Sequence, residues 1–215
     1  MARVIAIDGP SGAGKSSVSR LVAKRLGYQY LDTGALYRAL ALYLTRKGVD
    51  PEGPDDKIVN VAKGAEIRLD GERVFLNDED VSDAIRTPEA GHHASVFSAR
   101  KSVREYLFKI QKDAGQSCDI VAEGRDMTTV VFPNARVKIY LDASEEGRAA
   151  RRYRQLNEKG MPITMEEALD DVRERDFRDK NRDIAPLIRS EDALYLDTTN
   201  MGLEAVVDRI IKEAQ

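Results

Sequence analysis

The sequence is poor in the residues that crosslink chains or bind metals: it has one cysteine, two histidines and no tryptophan among 215 residues. Cys118 has no partner for an internal disulfide and no CxxC neighbour for a metal site, which favours a reducing compartment. His92 and His93 are adjacent, so on a helix they point in different directions and do not form a metal pair. The composition therefore excludes a disulfide scaffold.

Long apolar runs are absent as well. No run approaches the ~20 residues that a membrane span needs. The first apolar run, residues 4–7, is far too short for a signal peptide. We therefore expect a cytoplasmic protein that does not bind a membrane.

Charge of one sign is not in excess either, because the formal net charge is −3. No overall basic field would draw the protein to nucleic acid, so any site for an anion must be local. With 42% hydrophobic and 33% charged residues, the composition is typical of a globular protein. The length predicts one domain, residues 1–215, with room for an inserted subdomain.

What the sequence does contain is an alternation of short apolar runs and helical patterns. Such alternation predicts an α/β fold, with a parallel sheet covered by helices on both faces. The expected strands are residues 4–7, 28–31, 119–122, 137–141 and 193–196. The expected helices are residues 18–26, 34–46, 56–63, those within 87–115, 145–159, one that opens at 164, and 203–212.

Residues 66–81 break this rhythm, because EIRLDGERVFLN alternates on both sides of Asp70-Gly71. The pattern predicts an antiparallel hairpin, which does not fit a parallel series of strands. We therefore predict an insertion, assigned to residues 33–115, that carries the hairpin and the helices after it.

The segment GPSGAGKS lies between the first predicted strand and the first predicted helix, as a phosphate-binding loop requires. Its glycines allow several backbone N–H groups to converge on one phosphate, and the helix adds the positive end of its dipole. Lys15 would reach the outer phosphates, and the Ser16 hydroxyl would ligate Mg²⁺. The residues predicted to bind ATP are Gly9, Pro10, Ser11, Gly12, Ala13, Gly14, Lys15, Ser16 and Ser17.

Two other classes of nucleotide-binding protein fit less well. A GTPase would need an N-K-x-D or T-K-x-D motif to read guanine, and neither is present. A motor ATPase would carry an apolar strand that ends in Asp-Glu, whereas Leu141-Asp142 has no second acid and Asp142 is better explained as a helix cap. Glu123, at the end of another strand, is the candidate for binding Mg²⁺ through water.

Arginines follow two of the predicted strands. Arg38 comes shortly after the second strand and Arg125 directly after the third, and ligands of parallel sheets bind at such carboxyl ends. Two arginines there favour a phosphoryl acceptor that carries its own phosphate, since two anions must be brought together.

Further arginines lie on predicted helices. Arg175, Asp179 and Arg182 are spaced i, i+4 and i+7 and share one face, for which the spacing alone favours solvent-exposed ion pairs. A second group could be a solvated helix face or the cations of a lid that excludes water. That group is Arg148, Arg151 and Arg152.

Taken together, the motifs resemble those of the bacterial cytidylate kinases over nearly the whole chain. The shared segments are IDGPSGAGKSS, LDTGALYRALA, EDVSDAIRTPE, SVREYL, EGRDMTTVVFPNA, KIYLDAS and ERDFRDKNRDIAPL. The phosphate loop by itself is generic, whereas the combination of DTGxxYR, GRDM and RDxRDxNR is typical of this family.

The resemblance implies a P-loop core with a five-stranded parallel sheet, an insertion that binds a nucleoside monophosphate, and a short lid, assigned to residues 145–165. It implies phosphorylation of CMP and dCMP by ATP with Mg²⁺, in a monomer. Lys15, Arg125, Arg148, Arg151 and Arg152 would be the catalytic cations. The implied CMP-binding residues are Thr33, Arg38, Ser95, Arg104, Arg125, Asp126, Arg175, Asp179 and Arg182.

One departure and two alternatives remain. Thr128 stands where the family commonly has glycine, which would alter affinity if that glycine needs an unusual backbone angle. A kinase for a smaller acceptor such as shikimate predicts a smaller insertion. A nucleotide-dependent switch predicts binding without turnover stimulated by an acceptor.

Overall fold

Residues 2–215 are described by a computed structural model, in which eight strands and eight α-helices follow one another along the chain. The strands are β1 (Val4–Asp8), β2 (Gln29–Asp32), β3 (Ile67–Asp70), β4 (Arg73–Leu76), β5 (Glu79–Asp80), β6 (Ile120–Gly124), β7 (Val137–Asp142) and β8 (Leu194–Asp197). The helices are α1 (Lys15–Leu26), α2 (Thr33–Arg46), α3 (Asp55–Ala62), α4 (Pro88–Phe97), α5 (Lys101–Ser117), α6 (Glu145–Glu158), α7 (Met165–Asn181) and α8 (Leu203–Ala214). Among these described residues, no helix combines the length and apolarity needed to cross a membrane.

Five parallel strands form the central sheet in the order β2-β6-β1-β7-β8, which confirms the predicted fold class. Every residue of β1 and of β6 is buried. Because helices cover both faces of the sheet, these strands are continuous apolar runs rather than alternating ones. Successive side chains still point to opposite faces. Ile5 and Ile7 therefore pack with α1 and α8, while Val4 and Ala6 pack with α2.

A separate antiparallel sheet, in the order β3-β4-β5, confirms the predicted hairpin. Its turn contains Gly71 with a φ of 61°, a left-handed conformation that glycine adopts without steric cost. The pattern analysis missed β5, because this strand is only two exposed acidic residues long. Val74 and Leu76 of β4 are buried in the same core cluster as α2, so the small sheet packs on one face of the central sheet.

Local capping sets where the helices near the sheet begin. Asp32 caps α2 by accepting a hydrogen bond from the Ala35 N–H at 2.8 Å, as predicted. Thr164 caps α7 in a reciprocal capping box. Asp142 does not cap α6 as predicted, because it is the last residue of β7; Ser144 caps the helix instead by accepting from the Gly147 N–H.

Candidate active site

The phosphate loop joins β1 to α1 at the centre of the sheet, between β6 and β7. Gly9 lies so close to β7 that a Cβ atom there would be 2.0 Å from the Leu141 carbonyl oxygen, so only glycine fits. Gly14 precedes α1 with a φ of 89° and leaves the first N–H groups of the helix directed into the loop. The loop therefore has the close packing and the free donors that an anion site needs.

Lys15 is buried and closes the loop on itself. Its Nζ donates to the carbonyl oxygens of Gly9 at 2.8 Å and of Pro10 at 2.7 Å. Burial, followed by the nearby charge of Arg125, lowers the pKa of Lys15. A phosphate group would supply the counter-charge that this buried ammonium lacks, and would thereby stabilise its protonated form.

Two of the four arginines on α6 bind the phosphate loop. The buried Arg148 donates to the Ser11 carbonyl oxygen at 2.9 Å and to the Asp176 carboxylate, which in turn accepts the Ser11 N–H at 3.0 Å. Arg151 donates to the Ala13 carbonyl oxygen at 3.2 Å. Arg152 instead pairs with Asp171 of α7 at 3.0 Å. Sequence reasoning missed Asp176, because nothing in the spacing of a helical aspartate predicts that it will accept a hydrogen bond from a distant loop.

The acidic side of the site lies at the ends of β2 and β6. Glu123 is buried and accepts a hydrogen bond from the Tyr30 hydroxyl. Burial and then the neighbouring carboxylate of Asp32 raise the pKa of Glu123. Ser16 is exposed in the first turn of α1, close enough for its hydroxyl to act on Glu123. The Glu123 carboxylate, with a second carboxylate nearby and an exposed hydroxyl beside it, forms a candidate cation site.

Arg125 extends from the end of β6 toward α7. Its Nε donates to the Asp179 carboxylate at 2.7 Å, and Arg182 lies 3.7 Å from the same carboxylate. Burial opposes ionisation of Asp179, yet Arg125, Arg175 and Arg182 together hold its pKa below the usual range. The side chains of Asp179 and Arg182 are only 7% and 5% exposed. The interpretation as exposed ion pairs, which spacing alone favoured, is therefore wrong.

Arg175 and Arg38 carry guanidinium donors that the described part of the chain leaves without partners. Arg175 has a buried Nε to which no partner is bound among residues 2–215. Burial and then the charge of Arg125 lower the pKa of Arg175 to about 10. Arg38 also has a buried Nε without a partner in that part of the chain, and only a 3.4 Å contact with Asp32. These unmet donors point to an anionic ligand.

A narrow cleft opens beside Arg38, between the central sheet and the inserted sheet. Two further arginines line it, Arg20 and Arg86, and neither was singled out from the sequence. Arg20 pairs with Glu72 at 2.6 Å, and Arg86 donates to the Glu72 carbonyl oxygen at 3.0 Å. The cleft is thus bordered by cations from both the core and the insertion.

A second polar cluster lies where α4 and α5 meet the residues after β6. Arg104 and Asp126 form a buried ion pair, with side chains 8% and 5% exposed. The Arg104 guanidinium also lies over the Tyr37 ring, 5.5 Å from its centroid. Ser95 is buried on α4 and accepts from Nε of Arg178 at 3.0 Å. Sequence reasoning missed Arg178, although it belongs to the RDxRDxNR motif.

The hydroxyl of Thr33, which was predicted to bind CMP, forms a hydrogen bond with the central sheet. Its Oγ1 donates to the Glu123 carbonyl oxygen at 2.6 Å, and the residue is buried at the start of α2. This bond ties α2 to the end of β6. The residues predicted to bind CMP thus come from α2, α4, α5, the residues that follow β6, and α7 with its C-terminal cap.

Asp8 connects β1, which precedes the phosphate loop, to the residues that follow β6. Its buried carboxylate accepts from the N–H groups of Met127 at 2.9 Å and of Thr128 at 2.7 Å, and from the Thr128 hydroxyl at 2.7 Å. Thr128 does not have a positive φ, so this position does not require glycine. The threonine adds a hydrogen bond instead, and it anchors the residues after Arg125 to the strand that precedes the phosphate loop.

Replacing Thr128 with valine should destabilise the fold by about 1 kcal/mol near pH 7, because a buried carboxylate loses one donor. Burial raises the pKa of Asp8 to about 6, while the bonds from Thr128 and Met127 oppose that rise. Since the folded pKa exceeds the unfolded value, the charged form costs stability above pH 6 and the cost disappears as the carboxylate is protonated. The valine variant should therefore lose more stability at pH 7.5 than at pH 5, as measured by urea denaturation.

Thr129→Val is the matched control, since the Thr129 Oγ1 is buried and has no partner among the described residues. This variant should change the free energy of unfolding very little at either pH. Equal losses for the two variants, or a loss that does not depend on pH, would show that the Thr128–Asp8 bond does not stabilise the carboxylate.

Comparison with known proteins identifies the family to which the chain is similar. The family model described as cytidylate kinase matches residues 5–215. A cytidylate kinase from Thermodesulfovibrio yellowstonii is 51% identical, with 99% of this chain and 98% of the relative covered. One from Fervidobacterium nodosum is 49% identical, with 96% and 94% covered.

Among solved structures, an uncharacterised protein from Eubacterium ventriosum superposes with a TM-score of 0.55 at 12% identity, over 98% of this chain and 96% of that one. A likeness at that identity supports the fold alone. Two findings identify the family: the family model matches nearly the whole chain, and the two relatives are 49% and 51% identical to it. The chain belongs to the cytidylate kinase family.

Proposed function

We propose that this enzyme transfers the γ-phosphoryl group of ATP to CMP, giving ADP and CDP, and that it also accepts dCMP. The observation that carries the proposal is the placement of two sets of groups at neighbouring strand ends. The phosphate loop follows β1, and Arg125-Asp126 follows β6, which pairs with β1 in parallel register. Ligands held at adjacent strand ends lie within reach of each other, as a transfer between two nucleotides requires.

The donor half would be the phosphate loop, through residues 9–17. Its backbone N–H groups and the start of α1 would bind the phosphates of ATP. Lys15 would leave its two loop carbonyls, or share them, to neutralise charge that develops as the phosphoryl group moves. Arg148 and Arg151 support this half, because both donate to carbonyl oxygens of the loop.

The acceptor phosphate would lie among Arg38, Arg125, Arg175 and Arg182, with Thr33 beside them. The unmet donors of Arg38 and Arg175 support this assignment. Arg125 would bind the phosphate while it keeps its contact with Asp179, since a guanidinium has five N–H donors. Asp179 would bind the ribose hydroxyls as an acceptor.

The base would be read by Ser95, Arg104 and Asp126. Cytosine has a donor at its exocyclic amine and acceptors on the adjacent ring edge, so a carboxylate suits the former and an arginine and a hydroxyl suit the latter. Uracil would place an oxygen against Asp126 and leave a buried carboxylate facing an acceptor, which is disfavoured. The burial of the Arg104–Asp126 pair supports a site from which water is excluded.

Mg²⁺ fits the acidic side of the loop. A cation there would relieve the repulsion by which Asp32 raises the pKa of Glu123. Ser16 would ligate the ion directly and Glu123 through water, in keeping with an ion that retains waters and needs only one or two protein carboxylates. When bound, the ion would neutralise charge on the phosphates of ATP.

The division of the chain follows the same logic. Residues 33–115 would form the acceptor-binding insertion, and residues 145–165 a lid over the donor. Arg152 supports the lid assignment, because it pairs with Asp171 of α7 rather than with the loop and would exchange this ion pair for a contact with a bound ligand. A monomer in the cytoplasm suffices for this scheme, since all proposed groups come from one chain.

An acceptor panel tests the proposal. ADP production with Mg²⁺ and ATP should be fastest with CMP and dCMP and at least about tenfold slower with UMP and AMP, given one mismatched hydrogen-bonding edge. Removing Mg²⁺ with EDTA should abolish turnover. Equal turnover with CMP, UMP and AMP would contradict the assignment of the base-reading residues, and turnover without any acceptor would favour a nucleotide-dependent switch.

A further inference from the structure

One hydrogen bond between α7 and α4 involves a residue proposed to read the base. Nε of Arg178 donates to Oγ of Ser95 at 3.0 Å. Arg178 lies three residues after Arg175 on α7, so the two side chains are neighbours on the helix surface. It makes none of the phosphate or metal contacts proposed above, yet it is directed at the same site.

The chemistry of this bond restricts how Ser95 can meet a ligand. A hydroxyl has one hydrogen to donate and two lone pairs, whereas a guanidinium only donates. Arg178 therefore occupies a lone pair of the Ser95 oxygen. Within residues 2–215 the Ser95 hydroxyl hydrogen binds no acceptor, so it remains available as a donor to whatever occupies the pocket.

Cytosine and uracil differ in what they offer such a donor. At N3, cytosine presents a lone pair and uracil presents an N–H group. A serine that points its hydrogen at the base therefore favours cytosine. The Ser95 oxygen already accepts a hydrogen bond from a cationic guanidinium, so it is also a poorer acceptor for the uracil N–H. The bond from Arg178 therefore disfavours uracil as well as favouring cytosine.

We propose that Arg178 is a positioning residue for base selection: it orients the Ser95 hydroxyl as a donor and so raises the preference for CMP over UMP. The inference rests on the proposed function, because it requires that Ser95 contacts the base. On the solvent side, Nη1 of the same guanidinium forms an ion pair with the exposed Glu174 at 2.5 Å.

The test is the ratio of kcat/KM for CMP to that for UMP. Arg178→Met and Arg178→Ala should each lower this ratio about tenfold, the effect of one hydrogen bond that involves a charged donor. Most of the change should appear in the KM for CMP. Ser95→Ala should lower the ratio similarly, and Arg178→Met should have no further effect in the Ser95→Ala background.

Two variants of the same helix serve as controls. Arg173→Met removes an exposed arginine that pairs with Glu145 at 3.0 Å, and Glu174→Gln removes the ion pair of Arg178 but not its bond to Ser95. Both should keep the wild-type ratio. Thermal unfolding checks that each variant is folded, and either of the two Arg178 variants is sufficient for the test.

Three outcomes would overturn the inference. In the first, both folded Arg178 variants keep the wild-type ratio. In the second, Arg178→Met lowers the ratio as much without the Ser95 hydroxyl as with it, which indicates a general packing role. In the third, Ser95→Ala leaves the ratio unchanged. A wild-type enzyme with no preference for CMP would instead contradict the proposed function itself, so the two failures are distinguishable.

Discussion

Arg125→Ala is expected to lower kcat/KM for CMP by about a thousandfold while the affinity for ATP survives, the size of loss seen when one preorganised transition-state donor is removed. Arg125 is the cation nearest in sequence to the end of β6, and its charge is close enough to Lys15 to lower the pKa of that lysine. We therefore propose that it contacts both the donor and the acceptor phosphate. Both kcat and KM for CMP should change, because the contact would strengthen as the phosphoryl group moves.

The measurement is steady-state kinetics with CMP, together with calorimetric titration of ATP in the absence of acceptor. Arg73→Ala is the matched control, since Arg73 lies on the inserted hairpin with a side chain 63% exposed. It should behave as wild type. Loss of ATP binding in Arg125→Ala with an unchanged KM for CMP would contradict the assignment of Arg125 to the acceptor half.

Asp126→Ala is expected to have two separate effects. It should lower the preference for CMP over UMP about a hundredfold, because the group that would accept from the cytosine amine is gone and the penalty on uracil is removed. It should also destabilise the fold by roughly 3 kcal/mol, because Arg104 is left buried without its partner. Acceptor kinetics measure the first effect and urea denaturation the second.

The double variant Arg104→Met/Asp126→Ala separates these effects. Removing both charges should restore much of the lost stability, since no buried charge is then left without a partner. The preference for CMP should not return, because neither base-reading group is present. An equal loss of activity on CMP and UMP in Asp126→Ala would remove this residue from base reading, whatever the change in stability.

The strands and helices of the core could be predicted from the sequence because each has a local cause. Strands buried on both faces must be apolar throughout, and Gly27, at the end of α1, adopts a φ of 70° that few other residues tolerate. The exception was β5, whose two acidic residues carry no apolar alternation. Its pairing depends on β4, which lies beside it only after the chain has turned at Asn77 and Asp78.

The candidate site was predictable to a different extent in each half. The residues of the phosphate loop are contiguous, so their order in the sequence is enough to predict the geometry of the loop. The acceptor residues are far apart in sequence, and the face shared by Arg175, Asp179 and Arg182 was equally compatible with solvent. Only the packing of α7 against α6 and α4 decides that these charges are buried. In a buried setting, an ion pair or an unmet donor affects stability and binding much more than at the surface.

The sequence by itself determined the fold class, the phosphate loop and the family motifs, because backbone preference and apolar periodicity act over a few residues. The tertiary structure alone decided the partners of the charged side chains. It joined Arg148 to Asp176, Thr128 to Asp8 and Arg178 to Ser95, pairs that lie from 28 to 120 residues apart. A side chain's hydrogen-bonding partner depends on which elements pack together, and that is set by burial of the whole core rather than by any local pattern.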